Sequence, residues 1–359
     1  MWEEGSVFYE DIGNVCSIDF IPWDELKGKT LFITGATGLI GLTLIKSLLH
    51  ASRERKLELR IIALVRNRMK AEERFRSELD TGRLSLAIGT VEELPQTEEN
   101  VDYIIHGASQ TASKEFVQHA VETINTAILG TMNLLEFAKE KQVKSFIYLS
   151  SMEIYGYPKK GHKVKEHEAG AMSPLTLRNS YPLSKLMCES LCCAYAYEFG
   201  FPAKIIRLTQ TFGPGVNYND TRIFAYFARC AIEKQDIILK TKGETERSYL
   251  YTTDAATAIL TVLLKGENGQ AYNAADEDTY CSIAQMAERI AAEAGIKVTY
   301  ELQDEADNGF PQTLYMNLDT ALLKGLGWRP FVQREVDALN NMYQRMIDFL
   351  IRSGNYVQK

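Results

Sequence analysis

The sequence TLFITGATGLIG at residues 30–41 joins an apolar strand to a helix through a glycine-rich turn. In such a turn, Gly35 would allow a tight reversal, Gly38 would let a pyrophosphate approach the backbone, and Gly41 would let the helix pack against the strand. The free N–H groups at the start of the helix would then face the phosphates. The stretch therefore predicts a dinucleotide-binding site. Its expected contacts are Gly35, Thr37, Gly38, Leu39, Ile40 and Gly41.

Around this stretch, short apolar segments alternate with amphipathic helical ones. Unalternating apolar strands separated by helices predict a parallel sheet that is buried on both faces. The fold class is therefore α/β, with a Rossmann-type doubly wound parallel sheet. Its strands are expected at 30–34, 60–65, 84–88, 101–106, 145–150 and 204–208, with long helices at 116–140 and 181–199.

The pattern divides the chain into three expected parts. Residues 1–27 are expected to form a short N-terminal appendage, residues 28–214 the NAD(P)-binding Rossmann domain, and residues 215–359 a smaller C-terminal α/β substrate-binding domain, partly interleaved with the first. In this last part, helices are expected near 221–234, 253–265, 282–294, 318–325 and 333–352, and strands near 237–240, 270–274 and 297–302.

The composition argues against several kinds of partner. Lys plus Arg number 40 and Asp plus Glu 47, so the net charge is −7, and the broad positive field that nucleic acids require is missing. No apolar run reaches the roughly 18 residues of a membrane span, and the acidic start does not resemble a secretion signal. Six cysteines without a CxxC pair favour reduced core residues over a metal site. We therefore expect a cytoplasmic protein without a metal, membrane or nucleic-acid partner.

Two chemically active groups share the segment YPLSK. Tyr181 and Lys185 are four residues apart, so on a helix they lie on one face. A nearby ammonium would stabilise the phenolate and lower the pKa of the tyrosine, making it a base near neutrality. Ser151 follows the fifth expected strand, and open α/β sheets bind ligands at the carboxyl ends of their strands. These residues predict an active site at that edge.

Together, the Gly-x2-Gly-x2-Gly turn, YPLSK and Ser151 resemble the extended short-chain dehydrogenases/reductases, the NAD-dependent epimerase/dehydratase family. The resemblance continues along nearly all of the chain from the first strand. It implies NAD as the cofactor and a homodimer in which the two long helices pair across a two-fold axis. It also implies catalysis by Ser151, Tyr181 and Lys185, with further cofactor contacts from Ala108, Ser109, Tyr181 and Lys185.

The end of the second strand bears on the choice between NAD and NADP. Members of the family that bind NAD carry an acidic residue here for the adenosine ribose, whereas this chain has Arg66 and Asn67. Arg66 could pair with the 2′-phosphate of NADP. Stacking on the adenine or exposure to solvent is the alternative for Arg66, so NADP stays open beside NAD.

Glu153, in SSMEIYG, bears on the reaction. The resemblance implies that a plain 4-epimerase lacks this carboxylate, whereas nucleotide-sugar 4,6-dehydratases and decarboxylases carry it. The dehydratases have an Asp before it, and Met152 cannot transfer a proton. The motif is therefore most similar to UDP-glucuronate decarboxylases, which imply oxidation of a nucleotide-diphosphate sugar at C4 and loss of its C5 carboxylate. The alternative is that Glu153 caps a backbone N–H.

The resemblance also places substrate contacts in the second half of the chain. Gln210 lies in the loop after the sixth strand, where an amide contacts the substrate, and Arg247 matches the arginine that pairs with the diphosphate. The expected substrate residues are Ser151, Met152, Gln210, Arg222 and Arg247. A 4,6-dehydratase, a 4-epimerase and a non-catalytic NAD(P)-binding regulator remain the alternative functions.

Overall fold

A seven-stranded parallel sheet forms the centre of the computed structural model, which describes residues 6–110, 113–303, 312–331 and 337–353, with the backbone alone for 113–115. The sheet order is β3-β2-β1-β4-β5-β7-β11. This order confirms the doubly wound Rossmann-type sheet, since the chain starts at the centre and winds outward in both directions. The strands β1–β14 are Thr30–Thr34, Arg60–Val65, Leu84–Ile88, Tyr103–His106, Ser145–Ser151, Lys163–Val164, Ala203–Leu208, Gln210–Phe212, Ile237–Leu239, Glu246–Tyr251, Ala271–Ala274, Asp276–Ser282, Val298–Tyr300 and Tyr315–Leu318.

Helices cover both faces of this sheet. On β1, Leu31 and Ile33 enter one hydrophobic core with helices α2 and α9, while Phe32 enters a second core with α6 and α7. Both faces of the strand are apolar because both are buried. The helices α1–α10 are Val7–Cys16, Leu39–Glu54, Arg68–Arg74, Arg76–Leu79, Ser113–Gln118, Ala120–Glu140, Ser180–Phe199, Ile223–Glu233, Thr252–Lys265 and Ile283–Ala294, followed by Ala321–Gly325 and Ala338–Arg352.

A second sheet lies beyond the carboxyl end of the first. It has the order β12-β10-β14-β6, and β8 also pairs with β10. The sequence did not predict any of these five strands; the short strands expected near 237–240 and 297–302 are β9 and β13, which pair with each other, and the one expected near 270–274 is β11 of the large sheet. The partners of β10 lie far away in the chain, and its first half, Glu246-Arg247-Ser248, is polar. The segment forms a strand because it pairs with distant strands, and its own hydrophobic periodicity does not predict one.

Residues 6–27 contribute side chains to two hydrophobic cores. Helix α1 packs on α2 and on the helix Ala338–Arg352. Phe8 and Ile12 enter one core, and Val15, Trp23 and Leu26 are buried in another. The described part of residues 1–27 is therefore built into the interior, because its apolar residues at helical spacing bury one face.

The two long helices follow the prediction with one change. The helix expected at 116–140 is divided into α5 and α6 at His119, where φ and ψ of −129° and 48° leave the helical region. The helix expected at 333–352 is present from Ala338 onward, and residues 332–336 lie outside the described part.

No helix in the described ranges has both the length and the apolar character needed to cross a bilayer.

Candidate active site

The glycine turn after β1 fits a dinucleotide. Gly35 has φ of +71°, and a Cβ there would lie 2.6 Å from the carbonyl of Gly107. A Cβ on Gly41 would lie 2.3 Å from the carbonyl oxygen of Gly35. At the start of α2, Gly38 provides no side-chain cap, so the first N–H groups of the helix remain available to an anion. Backbone contacts of this kind leave no room for larger residues.

A neutral histidine holds the loop on the other side of this turn. Thr34 Oγ1 accepts hydrogen bonds from the N–H groups of Gly107 and Ala108, at 3.1 and 3.0 Å, and lies 2.9 Å from His106 Nδ1. With both lone pairs occupied, the Thr34 hydroxyl donates to Nδ1, so His106 Nε2 donates to Thr131 Oγ1 at 3.1 Å. Burial lowers the pKa of His106 to about 3, which keeps the loop before Ser109 in place at neutral pH.

The structure places one unexpected arginine beside the cofactor turn. Arg66 is exposed at the end of β2, and the Asn67 side chain caps α3 by accepting from Lys70 N at 3.0 Å. Arg74, from the end of the same helix, donates to the carbonyl oxygen of Thr37 at 2.6 Å. No pattern in the sequence indicated this contact, because it depends on how α3 is oriented against the turn.

Ser151, Tyr181 and Lys185 lie together at the end of β5. The Ser151 hydroxyl lies close enough to Tyr181 to lower the pKa of the phenol, and Ser151 Oγ accepts from Glu153 N at 3.2 Å. Lys185 is buried; its ammonium donates to the carbonyl oxygen of Leu149 at 2.6 Å and lies 5.7 Å from the centre of the Tyr181 ring. Two hydroxyls can therefore meet one oxygen of a substrate.

The charges around Tyr181 differ from the expected ones. Burial raises the pKa of Tyr181, and the Glu153 carboxylate raises it further; the Ser151 hydrogen bond and the Arg178 guanidinium lower it. Lys185 is not among these causes, since its ammonium is directed to Leu149. Burial also lowers the pKa of Lys185 to about 8. The expectation that Lys185 depresses the pKa of the tyrosine is therefore wrong for this arrangement.

Glu153 forms an ion pair that the sequence did not reveal. Arg178 Nη2 donates to Glu153 Oε2 at 2.8 Å. The Arg178 guanidinium also lies 4.9 Å from the centre of the Phe116 ring, which stacks on Tyr181 with centroids 4.3 Å apart. Arg178 and Phe116 were missed because a 3-10 turn, Leu177–Asn179, and α5 bring them here from separate parts of the chain.

A buried network fixes the helix that carries Tyr181 and Lys185. Glu189 of α7 accepts from Ser150 Oγ at 2.5 Å and from both sides of the Arg207 guanidinium, with Nη2 at 2.6 Å. Arg207 Nη1 also donates to Tyr155 Oη at 2.7 Å. Since buried charges must be paired, this network locks α7 to the end of β5.

The expected substrate residues divide into two groups. Gln210 and Arg247 are brought together by the pairing of β8 with β10, and Arg247 Nη1 donates to Gln210 Oε1 at 3.3 Å. Arg247 Nε is buried and has no hydrogen-bond partner among the described residues. Arg222 is instead paired with Asp220 at 2.6 Å. Met152 is buried in a hydrophobic cluster, with Sδ accepting from Thr209 Oγ1 at 3.1 Å, so its contact with a substrate stays a prediction.

Comparison with known proteins agrees with this geometry. The model of the NAD dependent epimerase/dehydratase family matches residues 31–275. The chain belongs to this family. The expected NAD-dependent enzyme of the extended short-chain dehydrogenase/reductase type is thereby confirmed, whereas the preference between NAD and NADP stays a prediction.

Relatives within the family differ in reaction. UDP-glucuronic acid decarboxylase 1 of Xenopus tropicalis is 26% identical over 314 residues, which cover 87% of this chain and 70% of that protein. The human dTDP-D-glucose 4,6-dehydratase is 29% identical over 243 residues, 65% of each chain. Among solved structures, dTDP-glucose 4,6-dehydratase of Bacillus anthracis in complex with NAD has a TM-score of 0.73 at 19% identity and covers 91% of this chain and 98% of its own.

For this member of the epimerase/dehydratase family, the glycine turn follows β1, and Ala108 and Ser109 follow β4, the strand next to β1. Gly35, Gly38, Gly41 and Lys185 would hold NAD, which supplies a reversible hydride acceptor when bound. The described residues contain no group of three or more His, Cys, Asp or Glu side chains that could hold a metal ion.

Proposed function

We propose that this enzyme is a nucleotide-sugar decarboxylase acting on UDP-glucuronate. The observation that carries the proposal is the position of Glu153, whose carboxylate lies close enough to Tyr181 to raise the pKa of its hydroxyl. A carboxylate at this place distinguishes chemistry at the sugar C5 from simple epimerisation at C4. The relationship to UDP-glucuronic acid decarboxylase 1 over 87% of the chain supports it.

The chain's own residues supply the proton chemistry at C4. Tyr181, as the phenolate, would take the proton of the C4 hydroxyl, while Ser151 donates to the same oxygen and orients it. NAD, when bound, would supply the acceptor for the C4 hydride and the donor that restores it. With a ketone at C4, the C5 carboxylate belongs to a β-keto acid; its C–C bond breaks, CO2 leaves, and C5 takes up a proton. No external oxidant is consumed.

Met152 supports the decarboxylase over the 4,6-dehydratase. Loss of water needs an acid near the leaving hydroxyl, and the thioether of Met152 has no proton to give. In the structure this side chain is 5% exposed and contacts Thr209, so it contributes to packing. Decarboxylation needs no acid at this position, because the leaving group is CO2 itself.

Arg247 is the proposed contact for the diphosphate. Its Nε is buried and finds no partner in the described part of the chain, and an unsatisfied buried donor of this kind costs about 1–3 kcal/mol. A diphosphate oxygen would satisfy it, and the planar fork of the guanidinium suits two oxygens at once. Gln210 would then contact the sugar from the neighbouring strand.

Incubation of the purified protein with NAD and UDP-glucuronate, followed by mass spectrometry of the nucleotide, tests the proposal. The expected product is lighter by one CO2. Conversion of UDP-glucose into a chromatographically distinct nucleotide sugar of the same mass would indicate an epimerase, and loss of water from dTDP-glucose without any CO2 release would indicate a dehydratase. Tyr181→Phe serves as the inactive control, and no turnover of any sugar would favour a regulator.

We also propose a homodimer formed by α6 and α7. These helices pack on each other and leave apolar side chains in solvent, including Val121 at 72% and Met187 at 51% exposure. Apolar exposure on two adjacent long helices is typical of an interface. Sedimentation equilibrium should give twice the chain mass, and one chain mass would exclude the dimer.

We also propose a cytoplasmic location and a division of the chain into parts at residues 27 and 214.

A further inference from the structure

Arg178 connects three parts of the site that come from separate segments. Its Nη2 donates to Glu153 Oε2 at 2.8 Å, and its guanidinium lies 4.9 Å from the centre of the Phe116 ring. Phe116 in turn stacks on Tyr181 at 4.3 Å with the ring planes 4° apart. The main chain reinforces this arrangement, since Ser180 Oγ donates to the carbonyl oxygen of Phe116 at 3.0 Å.

The ion pair of Arg178 and Glu153 is partly shielded from water. The side chains of Arg178 and Glu153 are 35% and 29% exposed. An ordinary surface pair at such exposure contributes little to stability. Here, however, the guanidinium is stacked on an aromatic ring, and the pair lies beside the tyrosine that the family uses as a base. Its effect on the charge near Tyr181 therefore matters more than its contribution to folding.

Opposite charges act on Tyr181 from the two members of the pair. The Glu153 carboxylate raises the pKa of Tyr181 and the Arg178 guanidinium lowers it. The other groups that face Tyr181 are the Ser151 hydroxyl, which lowers this pKa, the Lys185 ammonium at 5.7 Å from the ring centre, and the buried Tyr148 phenol. The Lys185 ammonium donates to the carbonyl oxygen of Leu149, and the two charged groups that shift the pKa of Tyr181 are Glu153 and Arg178.

We propose that Arg178 is a positioning residue: with its guanidinium packed on Phe116, it holds the Glu153 carboxylate in place and balances its negative charge next to the Tyr181 hydroxyl. The role rests on the proposed function only in requiring Tyr181 as the base for C4 oxidation. That step is common to decarboxylases, dehydratases and 4-epimerases. Glu153 is thus kept available for chemistry at C5 without suppressing ionisation at C4.

The experiment compares reduction of the bound nicotinamide in wild type, Arg178→Gln, Arg178→Lys, Glu153→Gln and the double variant Arg178→Gln/Glu153→Gln. Single-turnover absorbance is recorded across pH with UDP-glucuronate, UDP-glucose and dTDP-glucose. In Arg178→Gln the unbalanced carboxylate should raise the pKa that governs the acidic limb of the pH–rate profile by about one unit. At pH values below this pKa, the rate of nicotinamide reduction should then fall by about tenfold. Arg178→Lys should restore part of this loss.

The double variant and a matched control separate positioning from folding. In the Glu153→Gln background, removing Arg178 should shift the limb clearly less than in the wild-type background, since only the direct effect of its charge on Tyr181 remains and there is no carboxylate left to hold. Arg289→Gln removes a comparable pair, Arg289 with Asp337 at 3.0 Å and about 40% exposed, and should leave the profile unchanged. An unchanged limb in Arg178→Gln, or an equal shift in both backgrounds, would overturn the proposal.

Structure determination gives a test that needs no substrate. A crystal structure of the wild-type protein with NAD should show Arg178 within hydrogen-bond distance of Glu153, and Arg178→Gln should show Glu153 displaced or turned toward solvent. A wild-type structure with the two groups beyond 4 Å, the limit for an ion pair, would overturn the proposal. Loss of decarboxylation alone would not, because the reduction step and the crystal structure do not depend on it.

Discussion

The ring of Phe116 lies almost parallel to the ring of Tyr181, with centroids 4.3 Å apart and a 4° angle between the planes. The stack involves the ring face, whereas the hydroxyl at the ring edge is the group whose pKa Ser151 lowers. The ring atoms of Tyr181 therefore make its packing contacts, and the hydroxyl oxygen is the atom that would take part in the reaction. A substitution that removes only the oxygen should leave the ring in place.

Tyr181→Phe is accordingly expected to fold normally and to lose activity. Without the base, the rate of nicotinamide reduction should fall by about 10²–10⁴-fold, while the melting temperature and the Kd for NAD change little. Stopped-flow absorbance, calorimetry and isothermal titration measure these quantities. Tyr197→Phe on the same helix, 94% exposed, is the control. Retention of more than a tenth of the rate in Tyr181→Phe would exclude this tyrosine as the base.

The buried Lys185 should make stability depend on pH above neutrality. Burial lowers the pKa of Lys185 from 10.5 to about 8. Between these values the unfolded chain holds a proton that the folded chain has lost, so the free energy of unfolding rises with pH by up to about 1.4 kcal/mol per unit. Below pH of about 8 the cost of the buried charge is fully present. Lys185→Met lacks this contribution.

Urea unfolding of wild type and Lys185→Met at intervals through this range tests the sign. We expect the wild type to gain stability relative to the variant as pH rises from about 8 to 10. Parallel curves, or a relative loss, would show that the ammonium is not desolvated in the folded protein.

Gly41→Ala should damage the cofactor turn. An added Cβ would lie 2.3 Å from Gly35 O and 2.9 Å from Ala36 Cα, both backbone atoms that can move only with the turn. Overpacking of this kind costs about 1–3 kcal/mol, so both stability and NAD binding should fall. Gly325→Ala, with nothing within 4 Å of the new Cβ, is the matched control. Equal behaviour of the two variants would contradict the close packing of α2.

Arg247→Gln should weaken the binding of the nucleotide sugar without affecting the binding of NAD. The variant loses the buried Nε and the bond to Gln210, so KM for the substrate should rise at least about tenfold, because a charged hydrogen bond contributes about 1.5–3 kcal/mol. NAD binding should be unchanged, since β10 is not part of the cofactor turn. A variant that loses NAD and substrate affinity together would point to misfolding instead.

Arg66 should influence the choice of cofactor. Its exposed guanidinium at the end of β2 would pair with a 2′-phosphate. Arg66→Asp is therefore expected to raise the Kd for NADP by about tenfold or more and to leave the Kd for NAD unchanged or lower. Arg60→Asp, exposed at the opposite end of the same strand, controls for charge. If NADP affinity is the same in wild type and Arg66→Asp, the arginine has no part in selection.

The sequence predicted those features that are encoded locally. The glycine turn, the strands of the large sheet and the pair of Tyr181 with Lys185 follow from spacing within a few residues. The partners of Glu153 and Tyr181 do not, because Arg178 and Phe116 reach them only after the turn Leu177–Asn179 and α5 have packed. The same reason explains why Arg74 was missed at the turn.

The charge near Tyr181 was expected from the wrong group for a related reason. Helical spacing places Lys185 on the same face as Tyr181, but it does not say where a flexible ammonium points. The carbonyl oxygen of Leu149 attracts it at 2.6 Å. Orientation of long side chains depends on acceptors contributed by other elements, and periodicity carries no information on these.

Helix α1 also has a use in protein engineering. Asp11 accepts from Arg345 at 2.6 Å and from Tyr251 at 2.5 Å, so the first helix and Ala338–Arg352 are neighbours. A short linker could join them and new ends could be opened in an exposed loop elsewhere, giving a circular permutant. Such a rearranged chain would carry its tags away from the glycine turn while retaining both helices in the interior.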